Sequence, residues 1–310
     1  MEVNKPLVSA CIITYNHEKF IRECLEGAIN QKLSYPYEIV IGEDCSTDKT
    51  KQICKEYKKR YSDLIRLIER DDNIGMNGNW AETIKACNGK YIALCEGDDY
   101  WIDPKKLQKQ VDFLEQNKEY AACYHKTMVV NERGKLIKSS KWTNYNTHTK
   151  EDLLYSKGEM ITNTILFRNK LDLSDIGTVV NADTFLFHKI GEIGGGKFIN
   201  DIEPSCYRVH SGGIWSLKES RFKLKSSIKT YESILISLKT NGYTKKVYEI
   251  YNKNARLVSD FMINELRRRS FKGYIYGLRV LIDMPSVKMK PFIKVHFKSV
   301  IKILIRKFKL

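Results

Sequence analysis

Lys90 to Pro104 reads K-Y-I-A-L-C-E-G-D-D-Y-W-I-D-P. Lys90 to Cys95 is a mostly apolar run of strand length, and Glu96-Gly97-Asp98-Asp99 ends it in carboxylates. Asp103-Pro104 then supplies an N-cap residue and a proline at the first position of a helix running to Asn117. A strand that stops in polar residues and passes at once into a helix is the repeating unit of an α/β sheet. In such sheets ligands gather beyond the carboxyl ends of the strands.

The same unit recurs upstream. Leu7 to Thr14 is a β-branched apolar run, followed by Phe20, Ile21, Cys24, Leu25, Ala28 and Ile29 at helical spacing. Glu38 to Gly42 and Leu64 to Glu69 read as strands, Thr47 to Tyr61 and Asn77 to Cys87 as helices, with Asn88-Gly89 as a stop. Four strands alternating with helices predict a mostly parallel sheet covered on both faces. Beyond Asn117 the alternation weakens: Tyr120 to Val130 and Met160 to Arg168 read as strands, Ala182 to Ile190 as a short helix. Lys197 to His210 reads as extended chain ending in the loop Ser211-Gly212-Gly213. From Lys218 the pattern is helical, with breaks at Asn241-Gly242 and Pro285. The expected organisation is an α/β domain over 1–217, in halves 1–117 and 118–217, and a helical basic extension over 218–310.

Charge follows that division. The 310 residues carry a formal net charge of +16, yet Lys218 to Leu310 holds 23 basic and 6 acidic residues, leaving 30 against 31 before it. A near-neutral body with a cationic extension excludes a uniformly basic nucleic-acid coat. With 42% hydrophobic and 29% charged residues and only 6 Pro, the chain is globular rather than collagen-like or disordered. Its eight cysteines show neither a Cys-x-x-Cys pair nor a zinc-type cluster and are expected to be reduced core thiols. The polar Met1 to Pro6 predicts no signal peptide, and no stretch of about 18 residues is free enough of charge to predict a spanning helix.

The strand ends hold the chemistry: Thr14-Tyr15-Asn16; Glu43-Asp44-Cys45-Ser46-Thr47-Asp48; Arg70-Asp71-Asp72-Asn73-Ile74-Gly75; and Glu96-Gly97-Asp98-Asp99. Carboxylates crowded along one edge repel unless donors, water or a cation offset them, and all-oxygen ligands suit Mg2+ or Mn2+. A hard cation implies a phosphate-bearing ligand. No G-x-G-x-x-G follows the first strand, and no P-loop or nucleophile elbow occurs anywhere.

As an ordered set these motifs, above all Glu96-Gly97-Asp98-Asp99-Tyr100-Trp101-x-Asp103-Pro104, resemble the family 2 glycosyltransferases, whose catalytic domain has the nucleotide-sugar-binding GT-A fold. The resemblance covers roughly Val8 to Ser216. Glu43 and Glu96 stand where that family often has Asp, and Cys45 where Gly is common. The resemblance implies that Thr14, Tyr15 and Asn16 lie against the nucleoside, that Asp44 accepts from a uracil imide, and that Asn73 closes the nucleotide pocket. It implies a metal set of Glu96, Asp98, Asp99 and His210 for Mn2+ or Mg2+, with Asp98 the best direct ligand to a diphosphate-bound cation. Asp183, opening a short helix, is implied as the base of an inverting displacement, and Arg208 and Trp215 belong to an acceptor side or closing loop.

Plainer roles stand beside these. Asp44, Asp48, Asp103 and Asp183 are also good helix N-caps, and His210 also suits a loop histidine bonded to backbone. The expected function is sugar transfer from a nucleoside diphosphate, UDP above others, to a saccharide or lipid-linked acceptor. A silent nucleotide-sugar binder and a nucleic-acid binder are the rivals, and no nucleic-acid partner is expected. Lys290, Lys294, Lys298, Lys302 and Arg306 recur every fourth residue among apolar neighbours, which predicts a basic amphipathic helix on an anionic membrane surface. The expected location is cytoplasmic, peripheral to the inner face of the membrane.

Overall fold

Seven buried residues, Val8–Thr14, form β1 at the centre of the main sheet. β1 pairs in parallel with β2 (Tyr37–Glu43) on one side and β4 (Tyr91–Glu96) on the other, and β3 (Ile65–Glu69) lies outside β2. The computed structural model describes residues 5–138, 146–213 and 218–297. Trp215, Lys298, Lys302 and Arg306 therefore lie outside the described residues.

The chain runs β1 to β2 to β3 along one direction of the sheet, then crosses back to place β4 on the opposite flank of β1. That reversal makes the β1/β4 edge a topological switch point, the place beyond the strand ends where open α/β sheets bind their ligands. The register sets their tips level: Thr14 pairs with Glu43, and Ile13 with Glu96. Helices α1 (Ile21–Ile29), α2 (Thr50–Arg60), α3 (Gly75–Lys85) and α4 (Lys106–Gln116) alternate with these strands. On α1 the buried positions are Ile21, Cys24, Leu25 and Ala28, the stripe its spacing predicts. Together with Ile12, Ile39, Ile41, Leu107 and Val111 they build the core.

The second half differs from its sequence reading. Instead of one strand from Tyr120 to Val130, β5 (Tyr120–Tyr124) and β6 (Thr127–Asn131) are separate and belong to different sheets, divided at the fully buried His125 and the half-buried Lys126. Met160 to Arg168 shortens to a 3-10 turn, Thr162–Thr164, and β8 (Leu166–Arg168), which runs antiparallel to β4 and β5. The remaining elements are β7 (Leu136–Lys138), α5 (Lys150–Leu154), α6 (Ala182–Ile193), β9 (Gly195–Phe198) and β10 (Ser205–Val209). The sheet order is β3-β2-β1-β4-β8-β5-β9, and β10-β6-β7 forms a second, smaller sheet. Extended pairing of Tyr100 with Cys206 brings β10 alongside the acidic turn that follows β4.

Two compact units result, one with residues to Thr178 and Ala182–Gly213, the other with Val179–Asn181 and the described residues from Lys218 onward. The second unit contains α7 (Ser220–Thr240), α8 (Tyr248–Arg267) and α9 (Phe271–Asp283) around Leu224, Ile228, Val258, Met262, Val280 and Leu281. Gly242, with φ +75°, takes the left-handed turn after α7. All eight cysteines are free thiols, seven of them buried. Among the described residues no helix is long and apolar enough to cross a membrane.

Candidate active site

The loops after β1, β2 and β3 are tied together by side chains from the motifs themselves. Asn16, at φ 55°, gives its backbone N–H to Ser46 Oγ (3.0 Å) and accepts from Thr47 N–H (2.8 Å) at Oδ1. Buried Asp44 accepts from Ile74 N–H at 2.9 Å, and Asn73 Nδ2 donates to the Asp44 carbonyl at 3.0 Å. Gly75, at φ +78°, passes from this loop into α3, and its N–H donates to Asn73 Oδ1. Cys45 sits at φ 59°, a left-handed conformation that costs a side-chain-bearing residue and that glycine adopts freely. Asp44 thus orders the start of α3 from the neighbouring loop, while Tyr15 stands partly open at 38% exposure.

On the β4 side, the acidic turn separates its carboxylates. Asp98 Oδ2 lies 3.0 Å from His210 Nε2 and 4.0 Å from His17 Nε2, and ligand atoms of all three fall within 4.8 Å of one another. Asp98 would be raised by burial, but the His210 hydrogen bond and the neighbouring His17 and His210 rings hold its carboxyl below the ordinary value. His17 is itself lowered from its ordinary value, chiefly by burial, against the opposing pull of Asp98. Next to them Glu96 is pushed up to about 7 by burial and by Asp98, and its buried Oε2 has no hydrogen-bond partner. The two imidazoles and the Asp98 carboxylate fit a divalent cation, whereas Glu96, expected as a ligand, is not among the side chains whose ligand atoms meet there.

Asp99 does not join this cluster. Both of its oxygens are engaged, Oδ1 by Arg208 N–H at 2.8 Å and Oδ2 by Asn163 Nδ2 at 2.9 Å, and burial with Asp98 and Glu96 nearby raises its pKa well above the ordinary range. Asp99 is therefore bound into the scaffold. Asp48 and Asp103 are likewise structural: Asp48 accepts from Thr50 and Glu18 N–H, and Asp103 accepts from Lys105 and Glu203 N–H and from Lys109 Nζ.

The sequence profile of glycosyl transferase family 2 matches residues 9–176, more than half of the chain. The chain belongs to glycosyl transferase family 2. An uncharacterized protein of Mycobacterium tuberculosis is 36% identical over 208 residues, covering 67% of this family 2 chain and 60% of that relative. The chondroitin synthase of Escherichia coli is 28% identical over 77% of this chain and 34% of its own length. Among solved structures, Staphylococcus aureus TarS 1-349 in complex with UDP-GlcNAc aligns with a TM-score of 0.54 at 18% identity, over 89% of this chain and 91% of that one. A mannosyltransferase from Pyrobaculum calidifontis in complex with GDP-Man and Mn2+ gives 0.56 at 14% identity, over 99% and 83%. These likenesses establish the GT-A type of fold, with a mainly parallel sheet flanked by helices and further helices at the C-terminal end.

Arg208 in this family 2 protein is placed differently from its reading as an acceptor or lid residue. Its side chain is 2% exposed, with Nε donating to the Asp98 carbonyl (2.9 Å), Nη1 to the Glu132 carbonyl (2.9 Å) and Nη2 to Glu23. The guanidinium also lies over the rings of Phe20 and Tyr100, at 4.9 and 5.1 Å from their centroids. All of this holds the acidic turn in place from within. Asp183, in the first turn of α6, accepts from Thr184 N–H at 2.6 Å and is exposed at the surface. Burial chiefly, with the charges of Asp99, Glu96, Asp98 and Asp183, raises the Tyr207 phenol.

His17 is the residue the motif reading passed over. It has no spacing pattern of its own, but it follows Thr14-Tyr15-Asn16 directly and so lies on the switch-point edge. Position on that edge was the available signal.

Proposed function

We propose that this chain transfers a sugar from a nucleoside diphosphate donor, UDP above others, to a hydroxyl of a saccharide or lipid-linked acceptor in bacterial polysaccharide synthesis, with inversion at the anomeric carbon. The single observation that carries the reading is the meeting of Asp98 with His210 and His17 at the switch-point edge of the sheet. Family membership supports a nucleotide-sugar donor, as do the GT-A neighbours whose structures hold UDP-GlcNAc and GDP-Man.

Thr14, Tyr15, Asn16, Asp44 and Asn73 line the nucleoside side in this reading, and the bonds of Asn16 to Ser46 and Thr47 and of Asn73 to Asp44 preorganise that wall before any ligand arrives. Asp98 and His210 would hold Mn2+ or Mg2+, whose charge offsets that growing on the departing diphosphate. Asp183 takes the proton from the attacking hydroxyl. Its exposure at the start of α6 leaves it open to an acceptor hydroxyl. Asp99, Asn163 and Arg208 position Asp98 rather than touch substrate.

The second unit would meet an anionic membrane. Residues 289–297 are helical, and Met289, Ile293 and Phe297, one turn apart, are 54%, 47% and 64% exposed beside Lys288, Lys290 and Lys294. An exposed apolar row flanked by lysines suits the boundary between headgroups and acyl chains. Such docking would bring the protein to a lipid-linked acceptor.

The test of the reading is a panel of UDP-, GDP- and TDP-sugars, each measured for binding and for slow hydrolysis with and without Mn2+. A metal-dependent preference for one donor supports it. Absence of binding by every donor would overturn it.

A further inference from the structure

We infer that His17 is a third protein ligand of the cation held by Asp98 and His210, and that this two-imidazole, one-carboxylate set makes the site selective for Mn2+ or Co2+ over Mg2+. The inference rests on the reading of this cluster as a metal centre and adds a ligand and a selectivity to it.

Geometry is the first support. Two ligand atoms about 2.1 Å from one ion and at right angles to each other are about 3.0 Å apart, and about 4.2 Å when opposite. The separations from Asp98 Oδ2 are 3.0 Å to His210 Nε2 and 4.0 Å to His17 Nε2, both within that span. For His17 the 4.0 Å gap is too long for a hydrogen bond, so the ring faces the carboxylate without bonding to it.

The second support is that the ring is fixed for ligation. Thr14 Oγ1 lies 3.2 Å from His17 Nδ1, and a proton on Nδ1 directed to that hydroxyl leaves the Nε2 lone pair turned toward Asp98. The His17 backbone N–H donates to Thr50 Oγ1 at 2.8 Å, anchoring the residue from a third element. His17 and His210 stand edge to face, with ring centroids 6.2 Å apart. This arrangement depends on Gly97. A Cβ there would lie 2.6 Å from Thr14 Oγ1 and 2.9 Å from His17 Nδ1, closer than real side-chain contacts allow. Gly97 in the acidic motif thus lets the end of β4 approach the His17 ring and its hydroxyl support.

Selectivity follows from the donors. Mg2+ demands oxygen ligands and gives up water reluctantly, whereas Mn2+, although it also favours oxygen, accepts imidazole nitrogen, and affinity for such donors rises from Mn2+ to Co2+. The His210 ring currently directs its Nε2 proton to Asp98, because Nδ1 accepts from Gly212 N–H at 3.2 Å. Coordination through Nε2 moves that proton to Nδ1 and gives up the Gly212 contact.

The experiment uses the full chain and Mn2+ alone, so it is independent of turnover. Pulsed electron paramagnetic resonance of the Mn2+ complex should show couplings to two imidazole nitrogens in the wild type and to one in His17→Gln. Titration should show a 10- to 100-fold weaker Mn2+ affinity in His17→Gln, and Mg2+ should displace Mn2+ from the wild type only at more than about 100-fold excess. Gly97→Ala, which keeps all three ligands but crowds the ring, should also weaken Mn2+ binding. A single nitrogen in the wild type, or equal displacement by Mg2+, overturns the role of His17 while leaving the metal centre standing. Absence of Mn2+ binding by the wild type overturns the centre and the inference together.

Discussion

His210 Nε2 donates to Asp98 Oδ2 at 3.0 Å, joining the turn after β4 to the end of β10 across 112 positions of sequence. Neither residue could hold this geometry from its own strand alone. Arg208, two residues before His210, fixes the same turn by bonding the Asp98 carbonyl and, through its backbone N–H, the Asp99 carboxylate. The second half of the domain therefore sets the orientation of the acids carried by the first.

Replacing Asp183 by Asn keeps the contact with Thr184 N–H and removes the basic oxygen. Turnover should fall roughly 10²- to 10⁴-fold, with donor affinity nearly unchanged. Measured kcat and donor Kd separate these effects. Weakened donor binding with turnover spared would assign the base elsewhere.

Arg208→Met should cost stability. It would leave the carbonyls of Asp98 and Glu132 without their buried donor and remove the cation from two aromatic faces. Urea denaturation should show a loss of about 2–4 kcal/mol. A loss below about 0.5 kcal/mol would mean that water replaces the guanidinium without penalty.

Lys106 gives a pH dependence. It is fully buried, donating to Gln110 Oε1 at 2.7 Å with its ammonium 4.1 Å from the centre of Trp101, and burial lowers its pKa from 10.5 to about 7. Because the folded value lies below the unfolded one, the unfolded chain binds more protons here between those pH values, and stability rises with pH across the window. Relative to Lys106→Met, wild-type stability should climb by up to about 1.4 kcal/mol per pH unit between roughly pH 7 and 10, and be level below it. A flat difference would show that Lys106 keeps its proton in the fold.

The first half of the fold was legible because its strands are short, largely apolar runs, with β1 buried on both faces, and α1 carries a clear apolar stripe. Apolar character alone does not mark a bend, so Tyr120 to Val130 read as one strand although His125 and Lys126 divide it between two sheets. Asp98 and Asp99 are adjacent and chemically alike in the sequence. Only the fold separates them, by supplying Arg208 N–H and Asn163 to one and two imidazoles to the other. The long-range placement of Arg208 was hidden for the same reason: its partners Glu23 and Glu132 lie far away along the chain.

Membrane docking is checked by sedimentation with anionic and neutral liposomes at low and high salt. Wild type should bind anionic vesicles, with binding lost at high salt and reduced at least about tenfold in the double variant Ile293→Asp, Phe297→Asp. Equal binding by the variant would exclude the exposed row at 289–297 as the anchor.

The most direct measurement for the central claim is calorimetric titration of UDP into wild type and Asp98→Ala, each with Mn2+ and with chelator. The account predicts that the wild type binds UDP at least about tenfold more tightly with Mn2+ than with chelator. It also predicts that Asp98→Ala, while keeping the wild-type circular dichroism, loses that dependence. Equal UDP affinity with and without the ion in the wild type, or an unchanged metal effect in Asp98→Ala, would contradict it.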